Sequence, residues 1–307
     1  MRLNKLILLI AVIILIAVYF YPVHHPVTVN ALPNFDQTLA AYNRSRYARV
    51  FSIGKSAGEK SIMAVSLIDP SKAGRLSEMT RILVISGQHV NEQMPIRAAL
   101  HTIEALANVK NPRKRQLLSN AAIIIIPIAN PDALQPYFLD RYNANGIDTN
   151  RDWNTLKQPE TRAILSLARK FRPHIFVDCH EGQPNKVEIP SYGPTYVRRL
   201  TMRLASIAAS TTSDPQLRLI PRYNSPRLSK ELAHRKLASM GVCGMLLESP
   251  MDIPWQRRQK VYERFLSRLF ETASFPPDAS LKSGLARLKR ETATPTLDLT
   301  RVYGVGR

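Results

Sequence analysis

Two histidines and two glutamates stand where apolar runs of this chain end. The run Ile82–Ile85 stops at Ser86-Gly87, and His89 and Glu92 follow, three residues apart. His180 follows HIFVDC at His174–Cys179, and Glu248 closes VCGMLLE at Val242–Glu248, just before Ser249-Pro250. A lone His-x-x-Glu pair is a weak pattern, because most such pairs are solvated or structural. Two imidazoles and a carboxylate at strand ends of one sheet form a stronger one: the His₂Glu set that holds a catalytic Zn²⁺ with one position left for water. A second cluster lies in RYNANGIDTNRD at Arg141–Asp152, where Arg141, Asp148, Asn150 and Arg151 sit within a few residues of one another around Gly146. A loop this polar between apolar strands is a candidate for binding. A solvated Asn/Asp-rich turn would have the same composition.

The elements that must position these groups are four core strands. Ile82–Ile85, Ala121–Ile128, His174–Cys179 and Val242–Glu248 are too apolar to face water on either side, as in a parallel sheet covered on both faces. Gly87 lets the chain turn sharply off the first of them. Alternation along the third puts Asp178 on the same side as His180. Between the strands, Ile96, Ala99, Leu100, Ile103 and Ala107 recur at helical spacing after Pro95, and Pro159–Phe171, Tyr196–Ala209, Lys230–Met240 and Pro254–Phe270 read as further helices. Lys110–Arg115 reads as a basic loop. Arg49–Gly54 and Ile62–Ile68 read as a hairpin around GKSAGEKS, which lacks the spacing of a phosphate loop and has no helix after it. The sum is an α/β fold: a three-layer α/β/α sandwich around one mixed, mostly parallel sheet.

With 307 residues and 45% apolar content, the chain suffices for one large domain plus extras. Its net charge of +20 favours anionic surroundings: anionic lipid, nucleic acid or an acidic cell-envelope polymer. There is no nucleic-acid motif and no aromatic–basic interleaving, so nucleic acid is set aside. Arg2 and Lys5 precede the unbroken apolar run Leu6–Tyr21, a helix of roughly 24 Å against a bilayer core of about 30 Å. Tyr19, Phe20 and Tyr21 would complete the span at the interface. No A-x-A-like site closely follows, so residues 1–22 are expected to be an uncleaved signal anchor rather than a signal peptide, with the rest exported. Residues 23–35 read as a proline-bearing linker, 36–275 as the catalytic domain and 276–307 as a basic C-terminal tail carrying a short amphipathic helix. Cys179 and Cys243 lie in apolar runs and read as buried free thiols; a disulfide between neighbouring strands stays open.

From about Arg49 to about Phe270 the chain resembles the carboxypeptidase A-like zinc metallocarboxypeptidases. The pieces occur in family order: IGKSAGEKSI at the early hairpin, GQHVNEQ, the loop NPD through NRDW, DCHEG, and LLESP. The resemblance implies that His89, Glu92 and His180 bind one Zn²⁺ per chain, and that Glu248 is the general base and then the acid. It gives Arg141 the role of polarising the scissile carbonyl. Asn150 and Arg151 match the pair that grips the substrate's terminal carboxylate, and Asp148 the carboxylate that orients the first zinc histidine. The family's mobile tyrosine has no motif match, and Tyr223 is the candidate. Val90 stands where the family often has a small residue. The implied activity is removal of C-terminal residues from peptides with a free C-terminal carboxylate, by an enzyme anchored in the membrane with its catalytic domain in the periplasm or outside the cell. The alternatives are a zinc amidohydrolase acting on cell-wall peptide or acyl-amino-acid amides, and a non-catalytic peptide-binding module.

Overall fold

The computed structural model describes residues 35–134, 140–182, 185–191, 193–210, 218–224 and 231–305. The expected anchor at 1–22 and all but the last residue of the linker lie outside the described residues. Among the described residues no helix is long and apolar enough to cross a membrane.

One eight-stranded sheet organises the domain. Its strands are β1 (Ala48–Lys55), β2 (Ser61–Leu67), β3 (Thr80–Ile85), β4 (Ala121–Ile126), β5 (Ile175–Glu181), β6 (Lys186–Ile189), β7 (Ile220–Tyr223) and β8 (Cys243–Ser249). They lie in the order β1-β2-β4-β3-β5-β8-β6-β7. The central neighbours β4-β3-β5-β8 are parallel, β1, β2 and β4 pair antiparallel, and β6 runs antiparallel to β8. The four central strands are buried at every position. Their side chains still alternate between two cores. Ile82, Val84, Ile123 and Ile125 enter one, and Leu83, Ile85, Ile124 and Ile126 enter the other. Each such side chain contributes about 1.5–3 kcal/mol by leaving water.

The first core is roofed by α1 (Phe35–Tyr42), α2 (Gln93–Ala107), α3 (Pro112–Asn120), α5 (Thr195–Ala209), α7 (Trp255–Ser274) and α8 (Ala279–Glu291). The second is covered by α4 (Pro159–Phe171), α6 (Ala233–Ala238) and α9 (Leu299–Tyr303). The three-layer reading therefore holds.

Three local expectations differ, and one left open is settled. Pro112–Asn120 form α3 where a basic loop is expected at Lys110–Arg115, because the Asn111 side chain accepts the Arg113 N–H at 2.8 Å and Pro112 opens the helix. The short edge strands β6 and β7 carry no apolar run and were not foreseen. The segment from 276 onward packs on the domain along its described length: Leu281, Leu285 and Leu288 are buried in the first core and Leu299 and Tyr303 in the second. The Tyr303 hydroxyl lies 2.9 Å from the carbonyls of Tyr47 and Ser66, which ties the end of the chain to the early hairpin. Cys179 and Cys243 are free and buried. The register sets Cys243 opposite Ile175 and Cys179 opposite Leu247, four positions apart. That separation, about 13 Å along the strands, excludes a disulfide.

Candidate active site

The ends of β3, β5 and β8 build the site. Beyond β3 the chain turns at Gly87, whose φ is +63°; a Cβ there would lie 2.9 Å from Ile128 Cα, so only glycine fits. The following residues are held by backbone bonds from Val90 and Asn91 N–H to the Asp140 carbonyl, at 2.9 and 3.2 Å. This places His89 Nδ1 2.7 Å from Glu92 Oε1. His180 arrives on β5 with its Nδ1 2.8 Å from Glu92 Oε2. One ligand atom from each of His89, Glu92 and His180 lies within 4.8 Å of the others, and all three residues are buried.

The donor set fits Zn²⁺. His89 Nε2 stands 2.9 Å from Asp148 Oδ1, and His180 Nε2 stands 3.0 Å from Asp178 Oδ1. A ring that gives its Nε2 proton to a carboxylate keeps a lone pair on Nδ1, and both Nδ1 atoms converge on Glu92. Electrostatics agree. Burial opposes charge on Glu92, yet His180 and His89 beside it bring its carboxyl down to about 2. Burial likewise opposes a proton on His180, yet Asp178 and Glu92 raise its affinity well above the ordinary imidazole value. A field that favours a proton there favours a cation.

Glu248 lies opposite His180 in the parallel register of β5 and β8, so the two side chains leave the sheet on the same face. Its Oε2 is buried with no hydrogen-bond partner among the described residues. Its Oε1 is 4.0 Å from Lys186 Nζ, across the β6–β8 pair. Burial pushes its carboxyl above the ordinary range, with His180 and Lys186 pulling the other way. A reluctantly charged carboxylate with one oxygen unpaired, beside a metal-binding set, is suited to moving protons.

The loop Arg141–Asp152 is tied to this cluster rather than solvated. Asp148 Oδ1 takes His89 Nε2 and the Asn150 N–H, each at 2.9 Å, while its Oδ2 takes Nε and Nη2 of Arg141, also at 2.9 Å. Despite its burial, Asp148 is kept well below the usual carboxylate range by His89 and Arg141. Arg141 Nη1 reaches to 3.7 Å from Glu92 Oε1. The loop rests on the turn of the early hairpin. Asp132 accepts from Ser56 Oγ at 2.6 Å and from the N–H groups of Gly58 and Ala144 at 2.9 and 3.2 Å. Glu160 accepts from Ala57 N–H at 2.9 Å and Asn143 Nδ2 at 3.2 Å.

The expected carboxylate pair divides. Asn150 is buried, with Nδ2 3.1 Å from His180 Nε2 and Oδ1 accepting the Ala233 N–H at 3.4 Å. Arg151 is exposed, with Nη1 donating to the Asn150 carbonyl at 3.1 Å. Tyr223 lies on the sheet edge, two strands from β8, and its hydroxyl donates to the Arg198 carbonyl on α5 at 3.2 Å. That hydroxyl is turned to α5 and not to the cluster.

Four supporting residues escaped the sequence reading. Gln88 donates to Asp178 at 2.9 Å and accepts from Trp153 Nε1 at 2.8 Å, which joins the two loops behind His180. Their adjacency to His89 and to Asn150-Arg151 was the available signal. Glu181, next to His180, and Tyr262, on a distant helix, hold the back of the site; only the first was marked by its position.

The chain matches known proteins across this region. The sequence profile of the zinc carboxypeptidase family matches residues 36–185. Carboxypeptidase 2 of Trichophyton rubrum is 34% identical over 159 residues, 48% of this chain and 29% of that protein. The carboxypeptidase N catalytic chain of Homo sapiens is 24% identical over 173 residues, 44% of this chain and 38% of that protein. This chain thus spans well under half the length of these curated relatives. Among solved structures, a metallo-carboxypeptidase from Burkholderia cenocepacia superposes with a TM-score of 0.63 at 19% identity, over 76% of this chain and 67% of that one. One from Pseudomonas aeruginosa in complex with (2-guanidinoethylmercapto)succinic acid gives 0.63 at 19% identity, over 82% and 68%. These likenesses show the fold.

Proposed function

We propose that the chain is a carboxypeptidase A-like zinc carboxypeptidase, the family whose profile matches residues 36–185, and that it hydrolyses the C-terminal peptide bond of peptides with a free terminal carboxylate. The observation that carries the reading is the convergence of His89, Glu92 and His180, with Glu248 opposite His180 on the neighbouring strand. One Zn²⁺ held by these three residues would supply a Lewis acid and bring the pKa of water to about 7. Glu248 takes the proton of the attacking water on its unpaired Oε2 and later delivers one to the leaving amine. Arg141, fixed in orientation by Asp148, donates to the carbonyl oxygen as negative charge develops on it. Arg151 binds the terminal carboxylate with its guanidinium fork, and Asn150 supports it through its carbonyl. Tyr223 is left without a part, since its hydroxyl is committed to Arg198. Residues 1–22 anchor the chain in a membrane with the domain outside the cytoplasm, and the +20 charge draws it to an anionic envelope polymer.

The test compares paired free-acid and C-terminally amidated peptides, incubated with the purified full chain and Zn²⁺ and read by mass. Loss of single C-terminal residues from the free acids alone supports the proposal, and Arg151→Ala should then raise KM far more than it lowers kcat. Equal cleavage of the amides would replace it with an amidohydrolase acting on wall peptides. Zinc binding without cleavage of either would leave a binding module.

A further inference from the structure

Glu92 has two tasks to choose between. It is the N-cap residue of α2, where a side-chain acceptor ordinarily satisfies the first free N–H groups. Yet its side chain makes no capping bond, because both its oxygens face the two histidines. The first turn of α2 contains no acidic residue of its own. The missing acceptor comes from another strand. Glu181, at the end of β5, has a side chain 1% exposed and accepts the Met94 N–H on Oε2 at 3.1 Å. Its other oxygen is held by Arg258 Nη1 at 2.5 Å, and its own N–H donates to Glu92 Oε2 at 3.0 Å. Arg258 lies on α7, one turn before Tyr262, whose hydroxyl is 2.5 Å from the His180 carbonyl. One face of α7 therefore grips both residues that end β5.

The geometry points to Glu181, locked by Arg258, as the residue that caps α2 in place of Glu92 and so leaves both Glu92 oxygens to the metal site. The inference rests on the metal reading above. Glu181 is a positioning residue: it touches Glu92 and the helix, and neither a substrate nor the ligand atoms of the histidines. Without it, the partial positive charge at the start of α2 and the unpaired Arg258 guanidinium both pull on Glu92, the carboxylate at the N-cap position and hydrogen-bonded to the Glu181 N–H. An oxygen drawn to either is lost to the donor set. A zinc-binding chain thus needs a second carboxylate at this helix start, and the residue after His180 delivers it.

Zinc affinity of the full chain, measured by competition with a chelating dye, tests this in the parent and in Glu181→Leu, Arg258→Met and His89→Ala. Thermal unfolding without metal is recorded beside it. Glu181→Leu should weaken zinc binding by about 10–100-fold, the usual effect of losing an outer partner of a metal site. Arg258→Met, which keeps the cap but unlocks it, should weaken it less. Lower thermal stability with unchanged zinc affinity in Glu181→Leu would make the residue a structural cap only and overturn the inference. Should that variant not fold, unchanged affinity in Arg258→Met overturns it. The metal reading fails separately, if the parent holds no stoichiometric zinc or His89→Ala holds it as tightly.

Discussion

Replacing Glu248 by glutamine isolates the proton transfer from everything else in the site. Glutamine keeps the length and one oxygen of the side chain and removes its charge. The structure says what this disturbs. The Glu248 side chain is 12% exposed, its Oε2 has no partner to lose, and Lys186 keeps Glu188 at 3.8 Å when its attraction to Glu248 at 4.0 Å weakens. Folding and zinc content should therefore match the parent. A general acid–base group contributes about 10²–10⁴ in rate, so kcat should fall by that factor, about 3–5 kcal/mol at 1.36 kcal/mol per decade, with KM little changed. The pH profile adds a sign. Glu248 acts as a base only when deprotonated, and burial raises its pKa in the folded chain. Activity of the parent should fall as pH drops through that raised value, above the ordinary glutamate range near about 4.3. The glutamine variant should lose this acid limb. The assay is steady-state hydrolysis of one free-acid peptide over pH, with zinc measured on the same samples. A zinc-loaded Glu248→Gln chain with kcat within about tenfold of the parent, or with its acid limb intact, would refute the assignment.

Three further outcomes are expected. Arg141→Lys loses the fork that Asp148 holds through Nε and Nη2; a fall in kcat of about tenfold or more at constant zinc is expected in the same assay, and full activity would move the oxyanion donor elsewhere. His174 is buried with Nδ1 accepting the Arg81 N–H at 3.0 Å, and burial chiefly, aided by Arg81, pushes its pKa down to about 2. It stays neutral when folded but takes a proton when unfolded below about 6.5, so its contribution to stability is present above that pH and is lost as pH falls. Urea unfolding should show the parent losing about 2 kcal/mol more than His174→Asn between pH 7 and about pH 5, and parallel losses would contradict the buried neutral state. Gly244→Ala sets a Cβ 2.3 Å from the His234 carbonyl oxygen, so α6 must shift off β8; a loss of about 1–3 kcal/mol by thermal or urea unfolding is expected, and unchanged stability would show that α6 yields freely.

What the sequence determined by itself is what short-range rules govern. Ile82–Ile85 followed by Gly87 made a buried strand with a sharp exit, since an apolar run needs cover on both faces and a φ of +63° suits glycine. The spacing of His89 and Glu92 let one turn offer both donors. Alternation along β5 placed Asp178 beside His180, and the structure sets them 3.0 Å apart. Helix Pro159–Phe171 was legible to its ends because the proline that opens it and its apolar stripe are local signals. The tertiary structure decided everything that depends on which strands become neighbours. Glu248 meets His180 only because β8 lies beside β5. The GKSAGEKS turn supports the Arg141–Asp152 loop through Asp132 and Glu160, 74 to 103 residues away along the chain from their hairpin partners and invisible to any spacing rule. The C-terminal segment was basic enough to read as a tail, yet its leucines meet two cores that exist only after the sheet has formed. Glu181 was the same letter in either reading. Its place at the start of α2 follows from strand order, which a sequence motif does not encode, because long-range pairing depends on the whole chain closing around one core.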